Sequence, residues 1–112
     1  MDLTTTSRDG VTLHAINGRI DAATSTALEG AVLAGIAGGG ARVLMDMRAV
    51  SYVSSAGLRV VLMATKQARA ARGGVVLFGL QPAVREVFAI SGFDKIVPIV
   101  AGEAEGLAVL GG

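Results

Sequence analysis

Two adjacent hydroxyls, Ser54 and Ser55, stand between an apolar segment and a run with helical spacing, and Ala56 and Gly57 follow them directly. A serine at such a junction can do one of two things. It can attack as a nucleophile, which needs a general base in reach, or it can cap the helix by accepting a backbone N–H of the first turn. The chain has a single histidine, His14, and no Gly-x-Ser-x-Gly elbow surrounds either serine. His14 lies in a segment that reads as a strand, so it is expected to be a strand side chain and not a base. The chain is therefore not expected to be an enzyme, and no catalytic residue is assigned.

Other chemistries fail on the same inventory. One histidine, no cysteine and scattered carboxylates offer no paired ligand spacing, so neither a metal nor a cofactor is expected. Asp46, read as the end of a short strand, suggests the phospho-accepting aspartate of a receiver domain. That fold also needs an acidic cluster and a late lysine, neither of which is evident, and a turn or capping role is the simpler expectation. Gly38-Gly39-Gly40 has the composition of a phosphate loop, but it follows a helical pattern instead of opening one and lacks the terminal Lys-Ser or Lys-Thr.

The elements that must position the serine pair can be read from local signals. Asp9-Gly10 predicts a tight hairpin between strands near Leu3–Ser7 and Val11–Asn17. Asp21 or Thr24 can cap a helix whose Leu28, Val32 and Ile36 recur every four residues, and the three glycines end it. "RVLMDM" reads as a strand covered on both faces, and a helix runs from Ala56 to Arg72 until Gly73-Gly74 stops it. "VVLFGL" reads as the next buried strand. A helix with Pro82 in its first turn and Gly92 at its exit comes next, then an edge-like strand in "KIVPIV" and a weak C-terminal helix. The order ββαβαβαβα predicts an α/β fold, a mixed sheet built by a hairpin and repeated βαβ crossovers.

Length and composition narrow the function classes. A chain of 112 residues is expected to form one domain, residues 1–112. Ten Lys and Arg against nine Asp and Glu leave a net charge of +1, too balanced for direct contact with nucleic acid. The sequence is 52% hydrophobic, but no apolar run reaches the ~18 residues of a bilayer span, so membrane insertion is not expected. "MDLTTTSRDG" lacks the pattern of a secretory signal, and a cytoplasmic location is expected.

Three features set the serine junction apart from an ordinary cap. A cap uses one hydroxyl, and here there are two. Gly57 is expected to leave the first turn bare to an approaching partner. On a helical wheel Leu58, Val61, Leu62, Thr65 and Ala68 form a core stripe, while Val60, Met63, Ala64, Gln67 and Ala71 form a second one, with Arg59, Lys66 and Arg69 between them. The second stripe is either covered by a neighbouring helix or free as a docking surface centred on Met63.

The text "SYVSSAGLRVVLMATKQARAARGG", with "GRIDAATSTALE" before it and "PAVREVFAISGFDKIVPI" after it, resembles the STAS domains of bacterial anti-sigma-factor antagonists from Gly18 to Ile99. The resemblance implies the STAS fold, a mixed four- to five-stranded sheet with helices packed mainly on one face. It also implies partner switching. The unmodified antagonist binds an anti-sigma factor that is a serine kinase of the histidine-kinase-like ATPase fold, phosphorylation releases the complex, and a metal-dependent serine/threonine phosphatase restores the binding form. The alternative is a STAS subunit of a lipid-type ABC transporter complex, with no phosphate cycle.

One departure bears on the acceptor. Many family members read Asp-Ser-Ser-Gly or Asp-Ser-Thr-Gly, with the modified hydroxyl just before the glycine, whereas Ala56 holds that position here and Ser54 replaces the aspartate. The resemblance therefore passes the phosphoacceptor role to Ser55, with Ser54 as second choice. The partner-binding residues it implies, joined to those of the wheel, are Gly18, Asp21, Ser54, Ser55, Ala56, Gly57, Arg59 and Met63. A "GRID" turn bearing Gly18 and Asp21 is expected beside the serine loop.

Overall fold

Asp9 and Gly10 both take positive φ, 52° and 80°, the backbone of a two-residue type I′ turn whose twist matches the strands it joins. They close an antiparallel hairpin of β1 (Asp2–Arg8) and β2 (Val11–Ile20). The computed structural model, described over residues 1–111, continues with α1 (Ala22–Ala37), β3 (Arg42–Val53), α2 (Ser55–Ala70) and β4 (Gly74–Phe78). It ends with α3 (Pro82–Ser91), a 3₁₀ turn at Phe93–Lys95, β5 (Ile99–Val100) and α4 (Glu103–Gly111). The five strands are ordered β1-β2-β3-β4-β5, and every pairing after the hairpin is parallel. No helix among the described residues is long and apolar enough to cross a membrane.

Alternation along the strands divides the core in two. Ile16, Ile20, Met45, Val50 and Leu77 point to one face, where α1, α2 and α3 cover them with Leu28, Val32, Val61 and Phe88. Val11, Leu44, Val76 and Phe78 point to the other, where α4 brings Leu107 and Leu110. Three helices thus lie on one face and the short C-terminal helix on the other, the expected mixed α/β sheet with helices mainly on one side.

Several element boundaries differ from the sequence reading, among them the end of β2, which runs three residues past Asn17 to Ile20, and the end of β4, which stops at Phe78. The strand expected at "RVLMDM" runs on to Val53, so Asp46 lies inside β3 and does not end it. The Asp46 carboxylate accepts from the backbone N and Nε of Arg48, both at 3.0 Å, beside a register shift against Ala15–Asn17. It is a turn-type residue built into a bulge. In "KIVPIV" only Ile99 and Val100 form a strand, because Lys95 belongs to the 3₁₀ turn and Val97 is buried in the core. The α2 helix begins at Ser55, one residue before the expected Ala56, and ends at Ala70.

His14 is a buried β2 side chain, as expected. Its Nδ1 lies 2.9 Å from the Thr5 hydroxyl across the hairpin, while its Nε2 is buried with no partner among the described residues. Burial holds its pKa below the ordinary value of 6.5. A base with a depressed folded pKa leaves the unfolded chain to take up the proton first. Stability is full above pH 6.5 and falls as the pH drops below it. Chemical denaturation between pH 7 and 5 should show this slope, and His14→Phe should flatten it. An unchanged slope in the variant would assign the effect to other groups.

Candidate functional site

The serine junction is built where β2 and β3 end side by side. Ile20 pairs with Val53, and the Ser54 backbone N donates to the Ile20 carbonyl at 2.8 Å. Ser54 takes extended φ and ψ of −81° and 173°, and its Oγ accepts the Gly57 N–H at 3.2 Å. The Ser54 carbonyl accepts Leu58 N at 2.9 Å, the first turn of α2. Ser54 is thus the N-cap, half-buried, with its oxygen committed to the helix. Ser55 is the first residue of α2 and is exposed. One hydroxyl shapes the junction and the other faces outward.

Gly57 has the opposite orientation to the one expected. It is buried, and a Cβ there would lie 2.8 Å from Ile20 Cγ2, 3.0 Å from Val53 Cγ1 and 3.3 Å from the Ile20 carbonyl. The missing side chain seats α2 directly on the ends of β2 and β3. It does not bare the turn to a partner.

The α2 wheel also needs correction. Val60 and Ala64, placed in the second stripe, are buried together with Gly57, Val61, Thr65 and Ala68. The core face is wider than a single stripe because α1 packs along the flank of α2. At 100° per residue the outward line then runs through Ser55, Arg59, Leu62 and Lys66, with Met63 beside it. Leu62, placed in the core by the sequence, is half-buried on this outer side, as is Met63, while Arg59 and Lys66 are exposed. The helix thus presents an exposed hydroxyl, two cations and two half-buried apolar side chains on one face.

Asp21 is the N-cap of α1 in a full capping box. Its Oδ1 accepts Thr24 N, and the Thr24 hydroxyl accepts Asp21 N, both at 2.9 Å. The Thr24 hydroxyl also donates to the Arg19 carbonyl at 2.8 Å. The backbone N–H of Thr24, reinforced by its hydroxyl, holds the Asp21 carboxyl below the usual carboxylate range. Both candidate caps are therefore used, in different roles. Because Asp21 follows Ile20 directly, it stands next to the serine junction. Gly18 does not form a turn there: it lies within β2 opposite Val50, with φ of 111° at a second register shift. Asp21→Ala should lower the melting temperature by roughly a few degrees by removing the cap. It should also remove stability that the wild type loses only as acid protonates Asp21, below 3.8. A calorimetric melt identical to wild type at neutral pH would refute the capping role.

Two residues near the junction had no signal in the sequence. Arg19 and Tyr52 pair across β2 and β3, and the guanidinium lies 4.3 Å from the ring centroid. Val53 points into the core under α2, so Tyr52 shows on the opposite face of the sheet, 41% exposed. Only the alternation set by Val53 reveals the side on which Tyr52 stands. His14, in contrast, pairs with Met45 near the start of β3, whereas the serines follow its end. The junction is held by backbone hydrogen bonds, the Ser54 cap and packing, with His14 away from it. Among the described residues no group of three His, Cys, Asp or Glu side chains could hold a metal ion.

The STAS domain family model matches residues 2–106. A Bordetella bronchiseptica protein named as a candidate anti-sigma factor antagonist, BtrV, is 43% identical over 99 residues, covering 88% of this chain and 85% of that protein. Among solved structures, a candidate anti-sigma factor antagonist of Thermotoga maritima superposes with a TM-score of 0.93 at 17% identity, covering 98% of this chain and 95% of that one. The anti-sigma factor antagonist SpoIIAA has been solved unphosphorylated and, as the Bacillus protein, phosphorylated. Both forms superpose with a TM-score of 0.76, at 15% and 19% identity. They cover 96% of this chain in each case, and 96% and 98% of theirs.

Proposed function

This chain belongs to the STAS domain family, and from that premise we propose that it is an anti-sigma-factor antagonist switched by phosphorylation of Ser55. The reading takes residues 1–112 as one STAS unit. In its unmodified form the protein binds an anti-sigma factor that is a serine kinase of the histidine-kinase-like ATPase fold. Phosphorylation by that kinase releases it, and a metal-dependent phosphatase returns it to the binding form. The protein is a substrate and a binder in this cycle, acting in the cytoplasm.

The observation that carries the reading is the division of labour between the serines. Ser54 Oγ is occupied by the Gly57 N–H, while Ser55 stands exposed at the head of a helix face carrying Arg59, Leu62, Met63 and Lys66. A hydroxyl in that place can be modified without dismantling the cap. Its phosphate, with about 1.5 to 2 negative charges, sits at a helix N-terminus that favours it by about 0.3 to 1 kcal/mol.

Incubation with the cognate kinase and ATP should add one phosphate, located at Ser55 by mass spectrometry. Ser54→Ala should still be modified and Ser55→Ala should not. A Ser55→Ala protein phosphorylated as fully as wild type would transfer the role to another hydroxyl. A wild type that binds its partner but is never modified would instead favour a constitutive subunit, as in a transporter complex.

A further inference from the structure

The sheet has two unequal edges. β5 is two residues long, whereas β1 is seven and pairs with β2 in unbroken register from Asp2 to Arg8. The β1 edge contains no proline, lysine or bulge, the devices that usually blunt an exposed strand, and all its residues except Leu3 are exposed.

The direction of its backbone groups follows from the hairpin. Across a two-residue turn the flanking pair, Arg8 and Val11, exchanges both hydrogen bonds, and the pattern alternates from there. The N–H and C=O groups of Arg8, Thr6, Thr4 and Asp2 point to β2. Those of Ser7, Thr5 and Leu3 point outward. These three are evenly spaced about Thr5, so an identical strand running antiparallel would meet them in register, Thr5 against Thr5 and Leu3 against Ser7.

The side chains have the same symmetry. Reversing "DLTTTSR" sets Asp2 against Arg8 and Thr4 against Thr6, on the face of the sheet that carries α4. Opposite charges and threonine pairs placed across strands are stabilising neighbours, and here each contact occurs twice. Arg8 already binds Glu103 at 2.9 Å, but a guanidinium has five donors and can serve two carboxylates.

We propose that the β1 edge pairs with the β1 edge of a second copy of this chain, about a two-fold axis at Thr5, making one continuous sheet across a homodimer. A second copy fits better than an unrelated strand because the charges at the two ends of β1 complement each other only under that reversal. A single strand edge is small beside the ~1,600 Å² of a standard interface, so the dimer is reversible. β3 and β4, which carry α2, are two and three places from the paired edge, and both copies keep the Ser55 face open. The inference is independent of the function proposed for that face.

Sedimentation equilibrium of the full chain at rising concentration should show a monomer–dimer equilibrium. Ser7→Pro deletes an outward N–H without touching the β2 ladder and should weaken the dimer by about tenfold or more. Asp2→Arg and Arg8→Asp should each weaken it, and the double reversal should restore it. In wild type the amides of Leu3, Thr5 and Ser7 should gain protection from hydrogen exchange as concentration rises. That reading stands even if a variant fails to fold. A chain that stays monomeric at every concentration overturns the proposal, as does a dimer that forms without protecting those three amides.

Discussion

Ser55→Asp should fold as the wild type does and bind the proposed anti-sigma kinase at least about tenfold more weakly. The fold survives because Ser54, not Ser55, supplies the cap that accepts Gly57 N–H. Position 55 is the first residue inside α2, where a carboxylate suits the positive end of the helix dipole. Binding fails for a separate reason. On a docked surface the new charge must be desolvated at the head of the face that carries Leu62 and Met63, with Arg59 one turn along that face to offset it. The phosphorylated protein, with more charge and more oxygens to dehydrate, should lose about a hundredfold, or ~2.7 kcal/mol. Ser55→Ala should lose least, since it removes a hydroxyl and adds no charge. Ser54→Ala should show the reverse profile, destabilised by about 0.5 to 2 kcal/mol through the lost cap yet able to bind once folded. Titration calorimetry and thermal melts on the four proteins separate these outcomes. A Ser55→Asp protein that binds as tightly as wild type would end the electrostatic switch.

That contrast rests on a detail the sequence left open, and the kind of detail is instructive. Signals confined to neighbouring residues were legible. Asp9-Gly10 marked the hairpin, Asp21 and Thr24 marked the start of α1, and Gly92 in left-handed conformation ended α3 as expected. These depend on backbone geometry over a few residues, which the sequence determines locally. The serine pair was also legible as a junction, though which serine caps depends on where the helix begins, a matter of one residue.

The illegible parts depend on tertiary partners. The full length of β3 was hidden because two register shifts break its alternation, so residues after Met47 lose the strand period. The α2 faces were misassigned because a wheel shows periodicity but not the number of neighbours. With α1 against one flank, Val60 and Ala64 go inside and Leu62 is left at the surface. The last strand was overextended because Ile96 and Val97 are apolar for a different reason: Val97 fills the core below α3 as the chain turns. Gly57 shows the same limit most sharply. A glycine in the first turn of a helix can admit a partner from outside or a strand from inside, and only the position of Ile20 decides.

Gly57→Val and Leu62→Glu should therefore give crossed results. A valine at 57 drives its Cβ to within 2.8 Å of Ile20 Cγ2 and 3.0 Å of Val53 Cγ1, atoms that are themselves fixed in the core. A rotamer change at either neighbour would still leave the Ile20 carbonyl, 3.3 Å from the new Cβ and fixed by accepting Ser54 N. The α2 helix must lift from the sheet, at a cost of more than about 3 kcal/mol, and the melting temperature should fall by more than about 10 °C. Leu62→Glu changes a half-buried side chain on the outer line of α2, where the new carboxylate remains hydrated and lies one turn from both Arg59 and Lys66. Its melt should stay close to wild type while kinase affinity falls by more than about tenfold, and Met63→Glu should behave similarly. Partner binding by the folded fraction of Gly57→Val should be nearly normal. If Gly57→Val melts like the wild type but no longer binds, the glycine belongs to the docking surface after all. If both glutamate variants fold and bind as wild type does, the outer face of α2 is not where the partner docks.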